Sequence, residues 1–240
     1  SDSFLKKKKI LIIDPDSPKN SNDRTWCFWE KKINKRKNSV FYSWDQVLFK
    51  SDRFEKSINL NPLSYKMLKS KNFYEQTNSS IRLNPNISFL KEAVVSVNDL
   101  STHCEVKTTK KTYSSLKVFN SILDWNVLKN STKYPLLIQH FEGWFIKSKK
   151  DFFKKNEATF MDFSIEQDSS TKFMYILPFS KKEALIEYTL FSKNLLDKKS
   201  YEKFLMQYLN SIGIIDYDIV SKESGKIPMT GYPFYKKNSK

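Results

Sequence analysis

From residue 136 onward the apolar positions fall into strands. Residues 137–146 read as one long strand with Gly143 inside it at a candidate bulge. Residues 158–163 read as another, with Asp162 between Met161 and Phe163. Two apolar runs, 173–177 and 184–190, are joined by Pro178, Phe179, Ser180, Lys181 and Lys182, which predicts a hairpin. Tyr201, Phe204, Leu205, Tyr208, Leu209 and Ile212 then recur at i, i+3, i+4, i+7, i+8 and i+11. This spacing predicts a helix with one apolar face, capped by Ser200 and stopped by Gly213. Residues 216–220 return as a strand, 223–233 turn outward, and 235–240 read as a frayed end.

The first half is less regular. Residues 40–44, 46–49 and 63–68 predict a small antiparallel sheet, and 71–76 a short helix. Residues 87–90, 93–97 and 103–107 read as a meander, and 116–122 as a further buried strand. Residues 9–15, Lys-Ile-Leu-Ile-Ile-Asp-Pro, are a short apolar run ending in Asp14. The second parallel strand of a dinucleotide-binding fold ends this way, its carboxylate accepting from ribose hydroxyls. The glycine-rich turn of such folds lies about 20 residues earlier. None of the four glycines (Gly143, Gly213, Gly225, Gly231) precedes Asp14, so either that turn is missing from this polypeptide or Asp14 is an ordinary strand-end acid. Residues 22–30 combine two Trp with Arg24: a loop pinned by its aromatics, or the edge of a site for a flat aromatic ligand.

Composition narrows the class. The 240 residues are 39% hydrophobic and 15% aromatic, enough for a packed core. No run approaches the roughly 18 apolar residues of a membrane-spanning helix, and no signal peptide is visible. Two cysteines, Cys27 and Cys104, form neither a disulfide framework nor a metal motif, which points to a reducing, cytoplasmic setting. Net charge is +16, yet Arg occurs only at 24, 36, 53 and 82. Nucleic-acid readers favour Arg, so a nucleic-acid partner is not expected. Lysines near an anionic lipid surface contribute about 1 kcal/mol each. Basic runs such as 6–9 and 31–37 more often form solvated faces than sites.

Within the second strand of the hairpin one carboxylate, Glu187, stands among Leu185, Ile186, Tyr188, Thr189 and Leu190. Two readings are open. The commoner is an acid facing solvent on an edge strand. The other is a carboxyl held in apolar surroundings with its pKa raised, which suits a general acid near neutral pH.

The segment Thr171-Lys-Phe-Met-Tyr-Ile-Leu-Pro-Phe-Ser, followed by Ala184-Leu-Ile-Glu-Tyr-Thr, resembles the central segment of the flavin-dependent lycopene cyclases of bacteria and plants. Five more segments match in order: residues 12–14, 22–26, 139–145, 158–162 and 225–229. The resemblance implies an α/β (α+β) flavoprotein hydroxylase-like architecture. An incomplete Rossmann-like FAD-binding domain, lacking its first strand and Gly-rich turn, would comprise residues 1–60 and 86–130. A mainly antiparallel β-sheet substrate domain would comprise 61–85 and 131–228, and 229–240 would begin a truncated return. On this reading the chain is an internal fragment of a longer protein.

The implied reaction closes β-ionone rings at the ψ-ends of lycopene with no net redox change. A proton adds at the terminal double bond, the tertiary cation is attacked by a neighbouring double bond, and a proton leaves. Reduced FAD is the implied cofactor, stabilising the cation or relaying the proton, and NAD(P)H the implied electron donor. By the resemblance Glu187 becomes the first candidate for acid/base chemistry, with Asp162 and Glu223 as further carboxylates. Asp14 is assigned to the ribose of FAD, and Arg24, Thr25 and Trp26 lie along the flavin. Trp144, Phe145, Phe173 and Tyr175 are candidates for an aromatic wall that attracts a cation; His140 is expected to be structural. Plant members carry two adjacent acids where this chain has Glu187-Tyr188, so a role for the second acid does not transfer. A linear carotenoid partner dissolves only in membranes, which favours a cytoplasmic, peripherally membrane-associated protein. Another reaction of the same flavoprotein superfamily (hydroxylation or prenyl-chain reduction) and a non-catalytic basic membrane-binding module are the alternatives.

Overall fold

The structure is a computed structural model and describes residues 7–16, 21–31, 39–168 and 170–234. The expected frayed tail at 235–240, Lys6, and all but the first residue of the 31–37 run lie outside the described residues. In chain order the elements begin with β1 (Ile10–Asp14), β2 (Thr25–Lys31), β3 (Val40–Trp44), β4 (Gln46–Ser51), β5 (Phe54–Asn59) and β6 (Leu63–Lys69). Helix α1 (Ser70–Arg82) precedes β7 (Ile87–Lys91), β8 (Val94–Asp99), β9 (Cys104–Thr108) and β10 (Thr112–Ser115). Then come α2 (Trp125–Lys129), β11 (Leu136–Ser148), β12 (Glu157–Asp162), β13 (Thr171–Pro178), β14 (Glu183–Ser192), α3 (Lys198–Ser211) and β15 (Tyr217–Thr230).

The chain divides into two compact units. One is drawn from Ser1–Asp23, Ser70–Asp124 and Pro233–Lys240, the other from Arg24–Lys69 and Trp125–Tyr232. The sequence reading placed residues 24–60 with the dinucleotide-binding segment. In the structure they join the larger sheet unit, because β2 and β3 flank β6 and because β4 pairs with β12. In the smaller unit β1 pairs in parallel with β7, and β8, β9 and β10 form a separate antiparallel meander. Residues 87–91 therefore leave the expected meander for β1.

The expected strand at 116–122 does not form. Leu116, Phe119 and Ile122 are exposed, and the Asn120 side chain accepts from the Ile122 N–H at 2.9 Å. Such an Asx turn offers the backbone an alternative to extension.

The larger unit is built on a seven-stranded sheet ordered β15-β11-β14-β13-β12-β4-β5. The predicted hairpin is its centre: β13 and β14 pair antiparallel from Thr171↔Phe191 to Pro178↔Ala184. β14 is buried on both faces, so it reads as a nearly continuous apolar run. Ala184, Ile186, Tyr188 and Leu190 pack with Trp144, Ile146 and Met174 beneath α3, whose Tyr201, Leu205, Tyr208 and Leu209 complete that core. Asp197, not Ser200, caps α3, its side chain accepting from the Ser200 N–H. Ile212 and Gly213 end the helix, Gly213 at φ 84°, as expected for a glycine stop.

On the other face Leu177, Leu185 and Ala158 pack against Trp44, Tyr65 and Met67 of the three-stranded sheet β2-β6-β3. β15 runs unbroken through residues that the sequence reading turned outward. It is an edge strand, where Pro228 removes no needed ladder donor. β11 pairs regularly through Gly143, and the register shift opposite Phe145 and Ile146 leaves Val220 of β15 as the extra residue, so the expected bulge in β11 does not form.

Candidate functional site

β14 lies between β11 and β13, so Glu187 is on an interior strand and the edge-strand reading fails. Register places four residues in one row across four strands: Tyr175 opposite Glu187, Glu187 opposite Gly143, and Gly143 opposite Glu223. Because side chains alternate, Glu187 shares a face with Leu185 and Thr189 and points away from the α3 core. Facing this row is β2-β6-β3. The Thr25 hydroxyl donates to Glu223 Oε2 at 2.7 Å, and the Cys27 thiol bonds with Tyr65. Phe160 joins Tyr65 and Tyr175 edge-on, with centroids 5.5 and 5.8 Å apart.

The surroundings separate the two carboxyls electrostatically. Glu187 is partly buried by surface area, but protein crowds it enough that lost hydration pushes its pKa up to about 8; the Thr189 hydroxyl, donating to Oε1 at 2.7 Å, opposes this, and Glu223 adds to it. The nearby hydroxyl and thiol groups give no counter-charge. Burial pushes the Cys27 thiol up to about 12 and raises the Tyr65 and Tyr175 phenols. Burial also raises Glu223, but the Thr25 hydroxyl and the Lys69 cation both favour its ionised form. The Lys69 ammonium lies 3.6 Å from the Phe41 ring centre and 5.8 Å from that of Phe145. One carboxyl is thus held neutral near pH 7 beside another that has partners for its charge.

The structure brings together Glu187, Glu223, Thr25, Tyr175, Phe145 and Phe173 on this side of the sheet. Phe173 packs edge-on against Tyr175 at 5.1 Å, and Phe145 stacks on Phe179 at 6.0 Å. Asp162 and Trp144 are elsewhere. Phe160 faces Tyr65 and Tyr175, and strict alternation would put Asp162 on that face too. A register irregularity between Thr159 and Asp162 turns the chain over. Asp162 is consequently buried under α3, accepting from the Tyr208 hydroxyl at 2.7 Å, the Ser164 hydroxyl at 2.6 Å and the Ser164 N–H at 2.9 Å. Asp162→Asn should therefore lower unfolding free energy by about 1–3 kcal/mol, read by urea denaturation, without changing chemistry at Glu187. Trp144 is in the α3 core, its indole N–H donating to Glu142 at 3.1 Å. His140 is buried there, bonded to the Tyr201 hydroxyl and, at 2.8 Å, to Ser192.

Asp14 ends β1 beside β7 with an exposed carboxylate, one oxygen of which accepts from the Asp16 N–H at 2.8 Å. An acid at the end of a parallel strand fits the hydroxyls of a ribose. Arg24 is exposed and Trp26 partly buried. Sequence reading misses Cys27, Tyr65, Thr189 and Lys69 as site residues, and reads residues 22–30 as a pinned loop or ligand edge where β2 forms. Their relevance depends on strand pairing, and no local spacing announces it.

The sequence matches the family described as lycopene cyclase protein over residues 5–239. No curated protein matches the chain. Among solved structures the fold is similar to p-nitrophenol 4-monooxygenase from Pseudomonas putida (TM-score 0.61, 7% identity, 92% of this chain and 62% of that one). It is also similar to a geranylgeranyl bacteriochlorophyll reductase-like protein from Thermoplasma acidophilum (0.55, 8%, 91% and 60%). A flavin-dependent brominase gives 0.54 at 10% identity, over 94% of this chain and 62% of that one. The chain therefore spans about three fifths of these proteins, and its mostly-sheet α/β architecture is theirs.

Proposed function

Since the chain belongs to the lycopene cyclase family, we propose that it carries out acid/base-catalysed closure of the ψ-ends of lycopene to β-ionone rings. The observation that carries this reading is Glu187: an interior-strand carboxyl in one cross-strand row with Tyr175 and Glu223, its pKa pushed up to about 8 by burial. A neutral acid can protonate a terminal double bond. Tyr175, Phe173 and Phe145 present ring faces or edges nearby, and a ring face attracts a cation by about 0.5–2 kcal/mol. Ring closure needs water kept from the cation, and the apolar side chains of Leu185, Leu177 and Ala158 on this side of the sheet are buried. Asp162 and Trp144, on the opposite face, are left out of the proposed chemistry.

Reduced FAD is the proposed cofactor, supplying an electron-rich group that stabilises developing positive charge, with NAD(P)H as the source of its electrons. Asp14, at the end of a parallel strand, would hold its ribose. No helix among the described residues is long and apolar enough to cross a membrane. We place the protein in the cytoplasm, docked peripherally through its lysine-rich surface, where a linear carotenoid is accessible.

Expression of the full natural protein in a lycopene-accumulating host should convert lycopene to ring-bearing products of unchanged mass, resolved by chromatography and mass spectrometry. Since a monooxygenase and a reductase-like protein share this fold, a mass gain of oxygen or hydrogen in place of isomerisation would overturn the cyclase reading.

A further inference from the structure

Resting on the cyclase reading, we propose that the two proton transfers are divided between two carboxyls: Glu187 gives the proton that starts ring closure and Glu223 takes the proton that ends it. The two flank Gly143 in one cross-strand row. They stand two strand spacings apart, roughly 10 Å between backbones, and point to the same face. Their partners differ in kind. Among the described residues the carboxyl of Glu187 is bonded by one neutral hydroxyl, from Thr189. Glu223 is held by the Thr25 hydroxyl at 2.7 Å and lies in the field of the Lys69 cation. Burial raises the pKa of both carboxyls, but Glu223 has a cation among its neighbours where Glu187 has another carboxyl, and paired carboxyls with unlike partners are suited to opposite roles.

The step balances without a redox partner. The O–H bond of Glu187 breaks as a C–H bond forms at the terminal double bond. The cation is captured by a second double bond, forming the ring C–C bond. A C–H bond of the ring then breaks, its electrons become the ring alkene, and the proton passes to the Glu223 carboxylate. Glu187 is left ionised and Glu223 protonated. Exchange with solvent, to which both are partly open, restores the starting state. Thr25, which acts through Glu223, is a positioning residue.

The test uses the full natural protein with reduced FAD and lycopene in phosphatidylcholine–phosphatidylglycerol vesicles in D2O. The wild-type protein should yield β-rings carrying one deuterium each. Glu223→Gln should lower β-ring formation at least 30-fold while deuterium still enters recovered lycopene, hydrated rings or rings with a displaced double bond. Glu223→Asp should restore part of the β-ring yield, and Glu187→Gln should leave every carotenoid free of deuterium. Glu223→Gln that makes β-rings within threefold of wild type overturns the proposal, as does one that loses deuterium entry together with ring closure. Should Glu223→Gln not fold, Thr25→Val decides. A three- to tenfold fall with the same altered products, reversed by Thr25→Ser, supports the role of Glu223; an unchanged rate and product ratio overturns it. Lycopene left unchanged by the wild-type protein overturns the cyclase reading itself.

Discussion

Glu187→Gln is expected to reduce ring closure by about 10²–10⁴-fold, the range for loss of a positioned general acid, while leaving the protein folded. The amide retains an oxygen to accept from Thr189, which bonds Oε1 in the wild-type protein, and it fills the same volume. What it lacks is the transferable proton. The pH dependence gives an independent check. The pKa of Glu187 is raised from 4.5 to about 8, so the donating form is present below about pH 8 and lost above it. Wild-type turnover should fall about tenfold per unit above that point. The charged and titratable groups around the carboxyl do not reverse this sign: Cys27, Tyr65 and Tyr175 are pushed upward and stay neutral there, and Glu223 opposes ionisation of Glu187.

Stability follows the same linkage. A carboxyl whose folded-state pKa is raised binds its proton more tightly in the folded state. Its contribution is complete below about pH 4.5 and is lost as pH rises through about 8. Urea midpoints of the wild-type protein should therefore fall across that window by more than those of Glu187→Gln. Equal slopes in the two proteins would show that the carboxyl is hydrated and ionised, and would remove the basis for its acid role.

The parts of the fold written in local pattern were legible. The β13–β14 hairpin and the apolar stripe of α3 depend on periodicity within a few residues, and both form where the sequence places them. Features set by pairing were not. The aromatics of residues 22–30 suit a pinned loop or a ligand edge as well as a strand, and β2 is held by β6 beside it. The apolar content of 116–122 has an Asx turn working against extension. For β15, Gly225 and Pro228 hide a strand that an edge position permits. The site shows the same division. Glu187 stood out as an acid in an apolar run, but whether its strand was interior or edge depended on β11 and β13. Asp162 had the same sequence signature, and one irregularity in β12 sent it to the opposite face. Glu223 became a partner only through the register that aligns it with Gly143 and through Thr25, nearly two hundred positions away in the chain.

That register gives Gly143 the second large expected effect. A Cβ at this position would come within 2.8 Å of Leu185 Cδ1, and 3.5 Å from both Glu187 Cβ and Glu223 Cγ. The Leu185 methyl is the end of a flexible side chain, but Leu185 is 1% exposed and packed among Trp44, Met67 and Leu177, so moving it disturbs buried neighbours. Gly143→Val adds two further methyl groups at the same place. Overpacking of this kind costs about 1–3 kcal/mol, and the strain falls on the two strands that carry the carboxyls. A displacement of about 1 Å at a reacting group can lower a rate about 100-fold. Gly143→Val is therefore expected to lose about 100-fold in ring closure with only a moderate drop in melting temperature. Gly231→Ala is the control: its Cβ would have Tyr134 at 4.0 Å as its nearest neighbour, and both readouts should stay at wild-type values. If Gly143→Val matched that control in rate, the row from Tyr175 to Glu223 would not be the reacting surface, because a side chain wedged between the two carboxyls could not leave their geometry intact.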